Sequence, residues 1–321
     1  VRLSVCVVNW NTREDLRECL AALHVNPITG GDQEVIVVDN ASADQSAEMV
    51  AAEFPSAHLI ANRTNANFAH GTNQALAAAA GDYLLLLNPD AQVTPGALDH
   101  LIAGFSNPLP RTGAVAAKLV FEDGYVQASV RGFPYPVAVL YDIVGLSKVF
   151  PKSPTFAAYR QTFFDYEKAQ PAPQPMASCF LISREAYETV GGMDERFPLY
   201  FNDVDWCLRC QDAGFGIWYE PKAVVIHGGG GTTKRVRKAA VWESHRALLR
   251  LYAKHYKGKT PSLLYTLITN LVTIGAWVRT GRWGESLGKD GGETTPESLH
   301  TELEREKRSA GMSAQSGNRG A

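Results

Sequence analysis

The chain has 321 residues, 45% of them hydrophobic and 20% charged, which is the composition of an ordinary globular protein of about two domains. That excludes a chain disordered throughout, a collagen and a coiled-coil rod. With 31 basic and 33 acidic residues the net charge is −2, so no basic balance points to nucleic acid. The five cysteines, at 6, 19, 179, 207 and 210, are odd in number and scattered, which fits a reducing compartment better than a disulfide framework.

Residues 1–8 are a mostly apolar run, expected as a strand covered on both faces of a parallel sheet. The run is too short for a signal-peptide core and passes straight into Asn9. With no initiator Met, the numbering is read as starting inside a longer chain or after trimming. Thr12 is the expected N-cap of a first helix, with Asp15 as a capping-box variant. Leu16, Cys19, Leu20 and Leu23 follow at helical spacing. Residues 34–39 form strand two, and Ser42 or Ser46 caps a helix carrying Met49, Val50 and Phe54. Residues 58–61 are a third strand, 71–80 an Ala-rich helix and 82–87 the central strand. Thr94 and Pro95 open a helix over 96–105. This rhythm predicts an α/β fold with a doubly wound sheet, whose ligands sit at the carboxyl ends of the strands.

Residues 107–175 read as irregular, with a hairpin turn at Asp123-Gly124. A segment this long is expected to be a functional lid or insertion. Strand character returns at 176–182. Ser183 caps a short helix that Gly191 and Gly192 end, residues 204–213 are helical, and 216–220 and 223–227 are short strands. The composition then changes. Between 232 and 260 there are nine Lys or Arg and one acid, Glu243. Residues 262–278 read as an amphipathic helix. Its wide apolar side carries Leu263, Leu264, Leu267, Ile268, Leu271, Val272, Ile274 and Val278, and Ser262, Thr266, Thr269 and Thr273 line the narrow face. The chain beyond 284 is expected to be disordered. No run reaches the roughly 20 apolar residues that span a bilayer. Residues 234–278 combine basic charge with an apolar face, as docking on an anionic membrane surface requires. The alternative is a solvated face and a packing helix.

Three strand ends present polar groups to one rim: Asn9-Trp10-Asn11, Asp39-Asn40-Ala41-Ser42 and Asn88-Pro89-Asp90. A strand-end Asp can accept hydrogen bonds from a base or a ribose, and Trp10 offers a face for a base to stack on. Such residues also simply cap turns. Cys207 and Cys210 share a helix face and lack a second pair, so they read as buried thiols.

With Asn65 to Asn73, Tyr200-Phe201-Asn202-Asp203-Val204-Asp205-Trp206 and Val225-Ile226-His227, these motifs resemble the family 2 glycosyltransferases of the GT-A fold. The nearest branch is rhamnosyltransferase-like, with Asn-Pro-Asp where other branches have Asp-X-Asp. The resemblance covers residues 1–235, read as a catalytic domain with a nucleotide-binding half (1–105) and an acceptor-binding half (106–235). A basic and helical extension (236–283) and a tail (284–321) follow. The resemblance implies donor contacts from Asn9, Trp10, Asp39, Asn65, Gly71, Asn73 and Asn88, with Trp10 stacking on the base. It implies a divalent metal, Mg²⁺ or Mn²⁺, on Asp90 and His227, Asp203 as catalytic base, and acceptor contacts from Tyr200, Asn202, Asp205 and Trp206.

Elementary chemistry supports most of these roles. A departing nucleoside diphosphate gathers negative charge that a metal stabilises, and one or two carboxylates plus substrate phosphates commonly hold Mg²⁺. An acceptor alcohol is a weak nucleophile that gains about 10²–10⁴-fold from a positioned base. Asp203 and Asp205 are both candidates, and the family pattern favours Asp203. A helix N-terminus favours its ionised form but lowers its proton affinity. The glycines and cations of residues 228–235 are expected to clamp the diphosphate. The chain departs from the family at Asn67, where Gly is frequent, and at Asn202, where an acid is usual. Asn tolerates a left-handed backbone better than most residues.

The expectation is an inverting transferase that uses dTDP-rhamnose by analogy, or a UDP or GDP sugar. Its acceptor would be a cell-surface polysaccharide or lipid-linked saccharide, at the cytoplasmic side of the plasma membrane. A nucleotidyltransferase is the first rival, but it would carry a Gly-rich basic loop after strand one, where this chain has Asn9 to Thr12. A non-catalytic nucleotide-sugar-binding protein is the second.

Overall fold

A computed structural model describes residues 1–228, 237–292, Thr294 and Thr301. A mixed sheet runs through its centre in the order β3-β2-β1-β4-β10-β6-β11-β5, with β8 paired to β11. The strands are β1 (Arg2–Asn9), β2 (Asp32–Asp39), β3 (His58–Ala61), β4 (Tyr83–Leu87), β5 (Ala91–Val93), β6 (Thr112–Val120), β8 (Gln170–Pro171), β10 (Cys179–Ser183) and β11 (Gly216–His227). β7 (Val130–Arg131) and β9 (Gln174–Pro175) form a separate antiparallel pair. β1 to β4 are parallel. β10 runs antiparallel between β4 and β6, and β11 is parallel to β6. The carboxyl ends of β1, β2, β4, β6 and β11 therefore share one rim with the start of β10.

Side chains alternate along β1. Leu3, Val5 and Val7 face one core layer and Cys6 and Val8 the other, as the two-residue period of a strand requires. The first layer packs under helices α1 (Arg13–Val25), α2 (Ser46–Glu53) and α4 (Ala97–Ala103). The second holds α3 (Phe68–Ala78), α5 (Pro136–Ile143) and α8 (Asn202–Asp212). It also receives α9 (Arg237–His255) and α10 (Ser262–Thr280) through Trp242, Tyr252, Ile268 and Val272. Each such buried apolar side chain contributes about 1.5–3 kcal/mol. The helical extension thus shares the core of the α/β domain.

The expected boundaries shift in several places. Residues 107–175 are not irregular throughout: β6 supplies a central, almost wholly buried strand there, and α5 and α6 (Leu146–Val149) follow. The Asp123-Gly124 turn is present, with Gly124 at φ 84°. The two expected terminal strands are one, β11, with a bulge between Glu220 and Val224. Gly96 rather than Thr94 precedes α4, and the Thr94 hydroxyl donates to the Val224 carbonyl at 2.8 Å. Ser183 does cap α7 (Arg184–Val190), accepting from the Ala186 N–H at 3.1 Å. Residues 284–292 were expected to be disordered. Instead Leu287 is buried, and the carbonyls of Gly291 and Gly292 accept from Arg246 and Arg250 of α9.

α10 has two apolar faces rather than one. Ile268, Val272 and Ala276 are buried, while Leu263, Leu267, Ile274 and Val278 point outward. Among the described residues no helix is long and apolar enough to cross a membrane.

Candidate active site

Four of the seven described non-glycine residues with positive φ border this rim; Gln45, Gln161 and Asp290 are the others. Asn11, Ala41, Asn67 and Phe201 have φ of 55°, 57°, 72° and 66°, and such residues cluster where a site over-determines its backbone. They follow β1, follow β2, precede α3 and precede α8. Asn67, at ψ 165°, occupies extended backbone that is essentially reserved for Gly. That accounts for the glycine frequent there in the resembling family. The Asn67 carbonyl accepts from Asn40 Nδ2 at 3.1 Å.

β1 and β2 end side by side, with Asn9 paired to Asp39. Asn9 Nδ2 donates to Asp39 Oδ1 at 2.8 Å and to Ser42 Oγ at 3.1 Å. Ser42 donates its hydroxyl to Asp39 Oδ1 at 2.6 Å and its N–H to Oδ2 at 2.9 Å. Both Asn9 and Asp39 are buried. They frame the loop that carries Trp10, which is half-buried against Leu199 and Ala239 of α9.

Three further expected donor contacts have structural work. Asn65 accepts the Asn67 N–H at 2.9 Å, closing a turn. Gly71 lets α3 approach the sheet, because a Cβ there would lie 2.9 Å from Val8 Cγ1. Asn73 donates to the Met193 carbonyl at 2.9 Å and accepts its N–H at 2.7 Å. Each of these three thus also holds the scaffold of the rim.

At the ends of β4 and β11 the geometry converges. His227 Nε2 lies 3.4 Å from Asp90 Oδ1 and 3.4 Å from Asn88 Nδ2. Its Nδ1 is 2.9 Å from Gln127 Oε1, and Gln127 Nε2 donates to the His227 carbonyl at 2.6 Å. Gln127 was missed in the sequence. It follows a turn, matches no motif, and meets His227 only through the fold. The remaining residues of the expected clamp, 229–235, lie outside the described residues. Among the described residues no group of three or more His, Cys, Asp or Glu is placed to hold a metal. Asp90 and His227 offer one oxygen and one nitrogen, and oxygens from a bound diphosphate would complete the shell of Mg²⁺ or Mn²⁺. The donor set fits such an ion.

Asn88 leads to the second half of the rim. Its N–H donates to the Ser178 carbonyl at 2.9 Å and its Nδ2 to Ser178 Oγ at 3.1 Å. The backbone N–H of the neighbouring Ala177 lies near the carboxylate of Asp203 and favours its charged form. Asp203 is half-buried in the first turn of α8 and also accepts the Val204 N–H at 2.8 Å. Burial pushes its pKa above the usual carboxylate range, against the backbone N–H bonds that favour the charge. Desolvation therefore outweighs the backbone N–H groups and raises the proton affinity of this carboxylate. Tyr159, from the segment expected to shape the acceptor pocket, lies within electrostatic reach of Asp203.

Asp205 does something else. It is fully buried and pairs with Arg209 at 2.8 Å, His255 at 2.7 Å and Lys254. Burial opposes its charge, but hydrogen bonds from His255 and Lys254 prevail and hold its pKa below the usual range. Trp206 is also fully buried, donating to the Gly191 carbonyl at 3.0 Å. Asn202 donates to the Leu199 carbonyl at 3.1 Å. All three, expected as acceptor contacts, are buried and support α8. Tyr200 stays half-buried at the α8 entrance. Cys207 and Cys210 are buried free thiols, and burial pushes Cys210 up to about 12.

Comparison with known proteins gives consistent results. The family described as Glycosyl transferase family 2 matches residues 4–191. An N-acetylglucosaminyl-diphospho-decaprenol L-rhamnosyltransferase of Mycobacterium tuberculosis is 29% identical over 271 residues, covering 80% of this chain and 85% of that protein. Rhamnosyltransferase WbbL of Escherichia coli is 29% identical over 176 residues, 50% of this chain and 60% of the relative. Among solved structures, the mannosyltransferase PcManGT of Pyrobaculum calidifontis, in complex with GDP-Man and Mn²⁺, superposes with a TM-score of 0.54 at 17% identity. It covers 99% of this chain and 75% of that one. At that identity the likeness establishes a shared fold.

Proposed function

Because the chain belongs to glycosyl transferase family 2 and is a glycosyltransferase, we propose that it moves rhamnose from dTDP-rhamnose to a hydroxyl of a lipid-linked saccharide, with inversion. The carrying observation is that Asn88, beside Asp90 and His227, donates to Ser178, while the backbone N–H of the preceding residue, Ala177, acts on the carboxylate of Asp203. This supports a reading in which Asp90 and His227 serve the diphosphate and Asp203, of raised proton affinity, serves as the base.

In this reading Trp10 stacks on the base of the donor, and Asp39 and Asn9 hold the Trp10 loop in place. Asp90 and His227 would hold the divalent ion. When bound, that ion stabilises the negative charge of the leaving diphosphate. Asp203 takes the proton of the acceptor hydroxyl, whose oxygen attacks the anomeric carbon opposite the diphosphate. Residues near Tyr159 and Tyr200 enclose the acceptor and exclude water. Positioning and charge stabilisation supply much of the rate. The rhamnosyltransferase relatives support the sugar, and the mycobacterial one, an N-acetylglucosaminyl-diphospho-decaprenol L-rhamnosyltransferase, supports a lipid-linked acceptor. Neither rival is favoured by the family match.

A lipid-linked acceptor places the enzyme at a membrane. The outward stripe of α10 offers the contact: Leu263 is 84% exposed and Val278 62%. Lys257, Lys259, Arg279 and Arg282 flank it. An amphipathic helix with such flanks lies on anionic lipid.

Thermal denaturation with a panel of nucleotide sugars, with and without Mn²⁺, tests the donor. The correct one stabilises by about 2.7 kcal/mol at a hundredfold excess over its Kd. Stabilisation by no dTDP sugar, and a response to UDP or GDP sugars instead, would replace rhamnose in this account.

A further inference from the structure

We infer that Gln127 is a positioning residue that fixes the tautomer of His227 and so keeps Nε2 available as a metal ligand; this rests on the metal reading of Asp90 and His227. Three distances carry it. One end of the Gln127 amide lies 2.6 Å from the His227 carbonyl oxygen. A carbonyl oxygen only accepts, so that end is the NH₂ group. The other end is therefore the amide oxygen, and it lies 2.9 Å from His227 Nδ1. An amide oxygen also only accepts, so Nδ1 carries a hydrogen. In a neutral imidazole the lone pair is then on Nε2, the atom that faces Asp90 Oδ1 at 3.4 Å.

Gln127 makes this choice firmly because it binds the same residue twice, at the ring and at the main chain. Both partners are buried, so water does not compete for either bond. The placement follows from the topology. β11 ends at His227, and its neighbour β6 ends at Val120. The chain then turns through Gly124 and returns, with the Gln127 N–H donating to the Leu119 carbonyl at 2.9 Å. That return lays Gln127 beside the last residue of β11. The next residues of the segment reach the other half of the rim, where the Ser129 carbonyl accepts the Met176 N–H at 2.9 Å, one residue from Ala177. A hydrogen bond to the far nitrogen of a ligating imidazole typically changes metal affinity 10–100-fold.

The test combines NMR of the metal-free protein with Mn²⁺ titration by electron paramagnetic resonance in the presence of dTDP. ¹⁵N-histidine spectra, with His227 assigned by its loss in His227→Ala, should show Nδ1 protonated and Nε2 bare. Gln127→Leu should abolish that preference and weaken Mn²⁺ binding about 10–100-fold. The double variant Gln127→Leu/His227→Ala should bind Mn²⁺ no more weakly than His227→Ala alone, because Gln127 acts through His227. A wild-type His227 protonated on Nε2 alone overturns the proposal. So does a Gln127→Leu variant with wild-type affinity beside a weakened His227→Ala. Wild-type affinity in both variants overturns the metal reading itself.

Discussion

Asn88 donates to Ser178 at 3.1 Å, and the backbone N–H of the preceding residue, Ala177, acts on the carboxylate of Asp203. This link joins the end of β4 to the start of α8, elements more than a hundred residues apart in sequence. The proposed chemistry depends on Asp203 and the Asp90–His227 pair sharing one rim.

The raised pKa of Asp203 sets a pH dependence. The base must be ionised to act, so kcat/KM falls as pH drops through its raised value. The acidic limb should lie above the ordinary aspartate value of about 3.9. Stability carries the opposite sign. A carboxyl more easily protonated in the folded than in the unfolded chain costs stability once ionised. Asp203→Asn should therefore raise the melting temperature at neutral pH. An acidic limb at or below 3.9 would contradict the assignment.

Asp205 should behave as a structural anchor. Breaking its buried contacts with Arg209, Lys254 and His255 by Asp205→Asn should cost about 3–5 kcal/mol, measured by chemical denaturation at neutral pH. Its lowered pKa means the stabilisation is present above the unfolded value of about 3.9 and is lost as pH falls through the folded value. The variant should lose that part of the acid sensitivity.

Asn67→Gly should stabilise the protein. The residue stands at φ 72° and ψ 165°, which costs a non-glycine residue about 1–3 kcal/mol, while glycine's extra entropy costs about 0.5–1 kcal/mol. A net gain of about 1 kcal/mol should appear in denaturant titration. A loss would mean that the Asn67 side chain has a role beyond its backbone.

The outward stripe of α10 predicts binding to vesicles of anionic phospholipid that weakens with salt. Leu263→Glu with Ile274→Glu should abolish co-sedimentation and leave the melting temperature near wild type, since both side chains are exposed. Unchanged co-sedimentation would remove this face from the account.

The strand-helix rhythm was legible because β1, β2 and β4 are runs of Val, Leu and Ile. β6 was not, since its Gly113, Ala114, Ala116 and Ala117 carry little strand propensity and are selected by burial between β10 and β11. The family motifs placed Asp90, His227 and Asp203 on one rim. Several neighbours in the same motifs also carry scaffold contacts. Asp203 and Asp205 lie two residues apart on a helix, so they face different ways: one toward Ala177, the other into the α9 contacts. Gly71, Asn73 and Trp206 sit in motifs for packing reasons that a motif does not reveal. Gln127 depends on a pairing across a hundred residues, which no local pattern encodes.

Transfer by Asp203→Asn, measured beside its binding of dTDP with Mn²⁺, tests the central claim most directly. The account predicts dTDP affinity equal to wild type and a kcat lowered about 10²–10⁴-fold. Transfer at the wild-type rate, with correctly folded protein, would contradict it.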